Sequence, residues 1–304
     1  MKEYIIGKNE AGQRFDKYIF KLLKNAGTGL IFKQLRNKNI VLNGKKAKGN
    51  EILKENDSVR IFMSDDTINK FTGGPLHISK TGFRLDVIYE DDDILLASKP
   101  VGVLSQKSSD KDISMNEYLI EYLTDNGFGK ENLATFKPSF CNRLDRNTSG
   151  LMIAGKSLRG LQKMSEIIKD RSIHKFYLTI VKGIVDKKSV IKGYLRKDEK
   201  NNKVVIYDNP VKDSYEIHTE YEPLATKDDM TLLKVRLITG KTHQIRAHLA
   251  GISHPVLGDF KYGDKVFNEK YGKKNSFFIH IRWYFRNWMI FRTYRKKVLI
   301  RHIP

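Results

Sequence analysis

The 304-residue sequence predicts an α+β protein, in which a small α/β unit precedes a larger domain built on a mostly antiparallel, mixed sheet. Three observations support this fold class. The apolar strand patterns come in groups and do not alternate regularly with helices, which argues against a doubly wound parallel sheet. The first 63 residues show two helix patterns followed by short strand patterns, whereas the residues from 86 onward show the mixed helix and strand patterns of a larger α+β domain. A chain of this length can also bury a sizeable core.

The first unit, residues 1–63, is predicted to contain two helices followed by short strands. Residues 16–23 place apolar side chains on one face of a helix, and a second short helix is predicted over residues 29–36. Residues 40–44 form an apolar run that ends in Asn-Gly, a strong signal for a β-hairpin. A further strand is predicted over residues 58–63.

Residues 64–85 include the stretches Ser64-Asp65-Asp66-Thr67 and Gly73-Gly74-Pro75 and few large apolar residues, a composition that predicts a linker. The larger domain is predicted over residues 86–304. Ser114 and Glu117 have the spacing of a capping box and therefore predict the start of a helix. The other predicted elements of this domain are strands over residues 94–97, 151–154, 176–181 and 232–238 and a helix over residues 157–169.

The formal net charge of +21 is the strongest signal in the composition. A charge this far from zero favours a polyanionic partner, because cations neutralise phosphates and release counterions. The single cysteine, Cys141, excludes an internal disulfide and a cysteine-based metal cluster. The sequence has neither a signal-peptide pattern nor a run of about 18 apolar residues, so we expect a cytoplasmic protein that does not span a membrane.

The most informative stretch is residues 142–150, Asn-Arg-Leu-Asp-Arg-Asn-Thr-Ser-Gly. Asp145 lies in it between Arg143 and Arg146, just before a predicted strand. Two nearby cations favour an ionised carboxylate, which a nucleophile or a general base requires. The plainer interpretation is a surface salt bridge at the start of a strand, and the residues alone leave both open.

This stretch resembles the HRLDxxTSG signature of the RluA-type pseudouridine synthases, with Asp145 at the position of the catalytic aspartate. Other segments resemble further motifs of the family in the same order. These segments are Lys99-Pro100-Val101-Gly102, Lys175-Phe176-Tyr177 with Lys182-Gly183, the stretch from Thr239 to Leu249 (TGKTHQIRAHL), and the stretch from His254 to Asp259. The resemblance implies an RNA-modifying isomerase that needs no cofactor and no metal.

The N-terminal unit separately resembles the small RNA-binding domain named after ribosomal protein S-four. The resemblance rests on residues 14–17, on the hairpin at residues 41–44 and on residues 56–59. It implies that Arg14, Lys17 and Arg36 contact RNA.

The family resemblance also implies roles for residues of the larger domain. Asp145 is expected to attack the anomeric carbon of the ribose, although attack on the base ring and a glycal route stay open. Tyr177 is expected to stack against the base or to act as a general base in the glycal route. Arg246 is expected to pair with Asp145, and Arg143 to enter the RNA stack where the uridine is flipped out.

Further RNA contacts are expected from Arg146, Lys241, His243 and Gln244. Plainer interpretations are a core position for Tyr177 and phosphate binding for Arg246. A zinc site at His243, His248 and His254 is disfavoured, because residues five apart do not share a helical face and no acidic ligand adjoins them. Two positions depart from the motifs, namely Asn142 in place of histidine and Lys241 in place of arginine.

The C-terminal segment, residues 265–304, is atypical for the family. It holds eleven Lys or Arg residues against one Glu, a net charge of about +10, interleaved with aromatic residues. Such a segment suits an arm that contacts RNA, but an altered or truncated end that leaves the sheet incomplete would look the same.

We therefore expect a monomeric enzyme that acts on structured RNA, with large-subunit (23S) ribosomal RNA as the first candidate and tRNA as the alternative. One rival hypothesis is a non-catalytic RNA-binding or ribosome-assembly protein on the same fold. Another is a glycoside or nucleoside hydrolase, which normally needs a second carboxylic acid near the first.

Overall fold

The computed structural model describes residues 1–73, 78, 80–129 and 133–271, together with the backbone of three strands between residues 278 and 302. The N-terminal unit contains β1 (Lys2–Ile5), α1 (Phe15–Leu22), α2 (Thr28–Arg36), β2 (Ile40–Leu42), β3 (Lys45–Lys46), β4 (Ser58–Ile61) and α3 (Asp65–Thr72). The strands form an antiparallel sheet in the order β1-β4-β2-β3.

The predicted helices and the hairpin of the N-terminal unit are confirmed. The hairpin turns at Asn43 and Gly44, whose φ angles of 51° and 70° suit a tight turn between twisted strands. Phe15 and Ile19 of α1 and Val59 of β4 are fully buried in the core of the unit. The sequence analysis missed β1, a strand of four residues that pairs with β4.

The predicted linker at residues 64–85 is wrong at both of its ends. Ser64 caps α3 by accepting a hydrogen bond from the backbone of Thr67, and Ile68 of α3 is fully buried in the N-terminal core. At the other end, Leu85 belongs to the core of the larger domain. Composition concealed α3, because buried Ile68 and partly buried Phe71 suffice to dock a two-turn helix whose remaining residues are polar.

The larger domain begins with β5 (Asp86–Glu90), β6 (Ile94–Lys99), α4 (Met115–Asp125), β7 (Ser139–Phe140), β8 (Ser149–Gly155) and α5 (Leu158–Lys169). It continues with β9 (His174–Lys182), β10 (Ser189–Asp198), β11 (Lys203–Tyr207), β12 (Tyr215–Lys227), β13 (Met230–Leu237), α6 (Gln244–Gly251) and α7 (Lys265–Lys270). The capping box of Ser114 and Glu117 at the start of α4 is confirmed.

One long sheet organises this domain. Among the described strands its order is β11-β10-β12-β13-β9-β14-β8-β6-β5, where β14 is Phe278–Phe285. All the described pairings are antiparallel except that of β14 with β8, so the predicted mostly antiparallel, mixed sheet is confirmed. Helices α4 and α6 contribute to the main core on one face, whereas α5 packs against Leu96, Leu151 and Ile153 on the other.

The C-terminal segment adds backbone to the sheet. Strand β14 lies between β8 and β9, and β15 (Trp288–Arg292) and β16 (Val298–His302) extend from it as antiparallel strands. The segment therefore fills the sheet between β8 and β9, contrary to the alternative of an incomplete sheet. The predicted RNA-contacting role of its basic and aromatic side chains lies outside the described residues.

No helix in the described part of the chain is both long and apolar enough to cross a membrane.

Candidate active site

Asp145 lies in the turn between β7 and β8. The residue before it, Leu144, is buried, and its backbone N–H and C=O both bond the hydroxyl of buried Ser105, at 3.0 and 2.7 Å. The backbone carbonyl of Asp145 accepts a hydrogen bond from the N–H of Thr148 at 3.0 Å. The Asp145 side chain nevertheless stays 28% exposed. The turn therefore fixes the backbone and leaves the carboxylate accessible.

Arg246 provides the closest charged partner of Asp145. It lies in the first turn of α6, where its neighbours Ile245 and Ala247 are buried. Its Nη1 donates to Oδ2 of Asp145 at 2.9 Å. A charge-assisted hydrogen bond of this kind aims the carboxylate as well as stabilising it.

The same guanidinium is held from behind by Asp259. Arg246 donates from Nε and Nη2 to the two carboxylate oxygens of Asp259, at 2.6 and 2.9 Å. The backbone N–H groups of Lys261 and Tyr262 also donate to Asp259, whose side chain is 0% exposed. Burial by itself raises the pKa of Asp259, but Arg246 outweighs burial and lowers the pKa below its ordinary value. The bidentate pair fixes the plane of the guanidinium before substrate arrives.

His243 approaches Asp145 from the N-terminus of α6, with its backbone in the left-handed region at φ 53°. The Tyr262 hydroxyl accepts a hydrogen bond from the N–H of Val204 at 2.8 Å and lies 3.0 Å from Nδ1 of His243. The tautomer of the ring decides which of these two groups donates, and the other ring nitrogen, Nε2, faces Asp145. That Nε2 lies 3.8 Å from Oδ2 of Asp145. Burial lowers the pKa of His243, which favours the neutral ring.

Tyr177 lies in β9 and is 6% exposed, packed in the main core. Burial and the charge of Asp145 both raise the pKa of Tyr177, so the phenol keeps its proton at neutral pH.

Lys99 is a member of the site that the sequence analysis did not select. It ends β6 and is 0% exposed, and its Nζ donates to the backbone carbonyls of Pro100, Arg146 and Thr148 at 2.9, 2.9 and 2.8 Å. Burial lowers the pKa of Lys99 to about 8, against the opposing effect of Asp145. The ammonium ties the turn that carries Asp145 to the end of β6. A lysine that ends a buried strand before proline was the available signal.

The arginines nearest to Asp145 in sequence are not its partners. Arg143 and Arg146 are exposed, and Nε of Arg146 donates to the carbonyl of Gly102 at 2.9 Å. Within the part of the chain that the structure describes, the cationic side chains at ion-pair distance from Asp145 are Arg246 and, when protonated, His243. Of the two interpretations left open by the sequence, a salt bridge of Asp145 to a flanking arginine is absent from the described ion pairs, because both arginine side chains are exposed and Arg146 bonds Gly102 instead.

Gln244 is also corrected. It is 2% exposed, and its amide bonds Thr239, the carbonyl of His218 and the hydroxyl of Thr219 at 3.0 Å each. Its Oε1 also accepts from the N–H of Lys241 at 3.1 Å. These contacts leave Gln244 no surface for RNA, and they fix the turn before α6 instead.

The remaining predicted RNA contacts lie in two places. Lys241 belongs to the turn before α6, and its Nζ lies 3.5 Å from the centre of the Tyr215 ring. Arg14, Lys17 and Arg36 are exposed on the N-terminal unit, outside the cluster around Asp145. Arg14 forms an ion pair with Asp16 at 2.6 Å.

Among the described residues there is no group of three or more His, Cys, Asp or Glu side chains arranged to hold a metal ion. His243 and His248 have hydroxyl partners, Tyr262 and Thr219 respectively. The arrangement that remains is an accessible carboxylate, a fixed arginine, a neutral imidazole and a protonated phenol. Such an arrangement suits a nucleophilic carboxylate.

Comparisons with known proteins agree with this chemistry. Residues 93–251, slightly more than half of the chain, match the family described as RNA pseudouridylate synthase. A ribosomal large subunit pseudouridine synthase C from Buchnera aphidicola subsp. Baizongia pistaciae is 32% identical over 286 residues, which cover 90% of this chain and 84% of that protein. An RNA pseudouridine synthase from Mycoplasma capricolum subsp. capricolum is 32% identical over 286 residues, covering 89% of this chain and 88% of that protein.

Among solved structures, the human RNA pseudouridylate synthase domain containing 1 covers 73% of this chain and 83% of its own, with a TM-score of 0.54 and 19% identity. That likeness shows the fold alone. The family match and the relatives at 32% identity go further: the chain belongs to the RluA-type pseudouridine synthases, and it is an isomerase that acts on RNA.

Proposed function

We propose that the protein converts specific uridines of large-subunit ribosomal RNA to pseudouridine, with Asp145 as the nucleophile. The substrate class is supported by relatives named as ribosomal large subunit pseudouridine synthases, one of them 32% identical over 90% of the chain. The net charge of +21 favours a long polyanionic substrate. A transfer RNA substrate is the alternative. The cytoplasmic location and the monomeric state stay predictions.

The assignment of the nucleophile depends on the different contacts that Arg246 makes with Asp259 and with Asp145. Its guanidinium makes two hydrogen bonds to buried Asp259 and one to Asp145, which is 28% exposed. Asp145 therefore keeps oxygen lone pairs that Arg246 does not use, on a side chain that is partly exposed. A carboxylate that is aimed but incompletely bonded can attack a substrate carbon.

In the proposed reaction a carboxylate oxygen of Asp145 forms a bond to C1′ of the ribose. The N1–C1′ bond breaks, and its electron pair leaves with the uracil ring. The ring turns, C5 bonds to C1′, and the ester to Asp145 breaks and restores the carboxylate. The proton on C5 is then lost, and N1 takes up a proton. The overall change is an isomerisation, so no oxidant, reductant or energy source is consumed.

Tyr177 is assigned to the uracil ring as a stacking and packing partner. Burial and Asp145 raise its pKa, which makes a phenolate at neutral pH unfavourable. A general base must release its own proton before it can accept one. This weighs against Tyr177 as the base of the glycal route, in which a proton is removed from the ribose.

The hydrolase hypothesis is weakened by the second carboxylate itself. Asp259 lies close to Asp145 through Arg246, yet its side chain is 0% exposed and accepts four N–H groups. A general acid must reach the leaving group with a proton, and Asp259 can neither reach it nor carry the proton readily. Free uracil as a product would favour the hydrolase.

RNA is proposed to bind across both units. In the larger domain we assign RNA contacts to Arg143 and Arg146, which flank Asp145 in the chain, and to Lys241 in the turn before α6. His243 lies beside Asp145. The N-terminal unit is proposed to act as an S-four-like RNA-binding domain. Its support is the sequence resemblance and the exposure of Arg14, Lys17 and Arg36, whose positive charge suits phosphate contacts.

The proposal can be tested by tritium release from unmodified large-subunit rRNA transcripts that carry tritium at C5 of uridine. We expect release by the wild type and none by Asp145→Asn, which keeps the shape of the side chain and an acceptor for Arg246. Parallel reactions on tRNA transcripts test the alternative substrate. If a folded wild type binds rRNA and tRNA but releases no tritium from either, the non-catalytic hypothesis replaces ours.

A further inference from the structure

Large exposed aromatic side chains are few in the described part of residues 1–271. Three phenylalanine or tyrosine side chains there are largely exposed: Phe62 (47%), Tyr215 (58%) and Phe260 (70%). Isolated apolar side chains on a surface need no explanation. Tyr215 and Phe260 are different, because each adjoins a segment that supplies a group to the cluster around Asp145.

Tyr215 lies on the face of the sheet that carries α6. It begins β12 and shares a face with Ile217 and Thr219, because side chains alternate along a strand. Both of those residues are 0% exposed, and the Thr219 hydroxyl bonds α6. Lys241 lies over the Tyr215 ring, with Nζ 3.5 Å from its centre. Since Lys241 is only two residues from His243, the Cα atoms of Lys241 and His243 are at most about 7 Å apart.

Phe260 lies on the other turn of the site, directly after Asp259. The carboxylate of Asp259 accepts the backbone N–H groups of Lys261 and Tyr262, so the turn folds around it. The turn is fixed, and it holds the Phe260 ring 70% exposed. The side chain that Asp259 binds, Arg246, is the one that contacts Asp145.

Cations accompany both rings. Lys261 follows Phe260 in the chain, and burial and the neighbouring charges of Arg246 and Lys203 lower its pKa. The Arg246 guanidinium lies 5.3 Å from the centre of the Tyr262 ring. Lys203 Nζ is 6.0 Å from the centre of the Tyr262 ring. Positive charge beside an exposed aromatic ring suits a nucleotide, because the cation binds the phosphate and the ring stacks on the base.

We propose that Tyr215 and Phe260 are base-stacking positions that hold unpaired nucleotides on the two sides of the target uridine. The proposal rests on the proposed function. A uridine that leaves its stack deprives its neighbours of a partner, and an aromatic ring replaces that partner for any base. The lysines next to each ring hold the adjoining phosphates. The protein accordingly prefers target uridines whose neighbours are unpaired.

The test uses the full chain, a fluorescein-labelled oligouridine of ten nucleotides and an RNA duplex of the same length. Stacking on an aromatic side chain contributes about 1–3 kcal/mol per base, which corresponds to a 5- to 150-fold change in affinity. We expect Tyr215→Ala and Phe260→Ala each to weaken oligouridine binding by at least about 5-fold. We expect Tyr215→Phe and Phe260→Tyr to bind like the wild type, and duplex binding to change little.

Tyr207 provides a matched control on the same sheet. Arg196 lies over its ring at 5.2 Å. Tyr207 is paired with Tyr194, whereas Tyr215 is paired with the next residue of the same strand. Because paired residues share a face and successive residues alternate, Tyr207 lies on the opposite face from Tyr215. We expect Tyr207→Ala to bind oligouridine like the wild type. The inference is overturned if Tyr215→Ala and Phe260→Ala keep wild-type affinity, or if Tyr207→Ala weakens binding as much as they do.

Turnover separates this inference from the proposed function. On tritiated rRNA, the two alanine variants should raise KM and leave kcat near that of the wild type, because the rings bind neighbours and not the reacting atoms. If the wild type releases no tritium while the variants still lose affinity, the proposed function fails and the stacking positions stand. If both variants turn over normally with unchanged KM and unchanged affinity, the stacking inference fails and the proposed function stands.

Discussion

The carboxylates of Asp145 and Asp259 both bind Arg246, but they differ in burial and in the number of hydrogen bonds that they accept. Asp259 is fully buried and accepts four N–H groups, two of them from Arg246. Asp145 is 28% exposed, and its described hydrogen bond at the carboxylate is the one from Nη1 of Arg246. A buried, saturated carboxylate stabilises structure, whereas an aimed and accessible one can react. The comparison teaches that neither charge nor proximity to arginine identifies a nucleophile.

The backbones of the two turns are also held differently. The turn at Asp259 folds around its own carboxylate through the N–H groups of Lys261 and Tyr262. The turn at Asp145 is instead held by the ammonium of Lys99, which binds the carbonyls of Arg146 and Thr148. Because Lys99 binds the backbone of this turn, the described hydrogen bonds that hold the turn do not involve the Asp145 carboxylate.

The largest expected effect is on activity. Asp145→Asn should reduce tritium release from rRNA by about 10⁴-fold or more, the scale seen when a nucleophile is removed. Its free energy of unfolding should change by less than about 1 kcal/mol, because a partly exposed pair contributes little. Activity assays and urea unfolding of the same preparation check both numbers. Residual activity above a hundredth of wild type would contradict the assignment of Asp145.

The second effect is on stability and reverses the pattern. Asp259→Asn should lower the free energy of unfolding by about 3–5 kcal/mol, because it leaves buried Arg246 without its bidentate partner. Activity should fall as well, since the guanidinium loses its fixed orientation. Urea unfolding beside Asp145→Asn is the measurement. Equal stability losses in the two variants would show that the two carboxylates are not divided into anchor and nucleophile.

A third effect tests the support of the Asp145 turn. Lys99→Met keeps a similar length and removes the ammonium that binds three carbonyls. We expect a loss of about 2–4 kcal/mol of unfolding free energy, because buried acceptors lose a charged donor. Lys156→Met is the matched control, since the Lys156 ammonium is partly exposed and pairs with Glu90. A stable Lys99→Met protein with full activity would show that the turn needs no such support.

The smallest effect concerns α6, which serves both turns. His248 is 2% exposed, and burial lowers its pKa to about 4. The unfolded chain binds a proton near the ordinary pKa of about 6.5, and the folded chain does not. The contribution of His248 to stability is therefore present above pH 6.5 and lost as the pH falls toward 4, by about 1–3 kcal/mol.

This last prediction is checked by urea unfolding between pH 7 and pH 4, for the wild type and for His248→Gln. Glutamine does not titrate, and its amide can bond the Thr219 hydroxyl that His248 contacts. We expect a shallower loss of stability on acidification in the variant. Parallel curves for the two proteins would mean that His248 is protonated in the folded chain.

Much of the fold could be predicted because local rules dominate where they are strong. The Asn-Gly turn, the capping box at Ser114 and the alternation in β9 and β13 each depend on residues within one element. Helix α3 and strand β1 were missed, because each is short and depends on burial against a distant part of the chain. Local composition carries no record of such a partner.

For the site, the sequence by itself determined the family motifs, and with them the positions of Asp145, Tyr177 and Arg246. The resemblance also implied that Arg246 pairs with Asp145, and the structure shows that contact at 2.9 Å. Only the tertiary structure decided the other partners of the site residues. The cation that contacts Asp145 is 101 residues away along the chain, while the two adjacent arginines are exposed. The structure also placed Gln244 inside and gave Lys99 its role. The physical reason is that charges act through space, and the sheet and α6 set which charges meet.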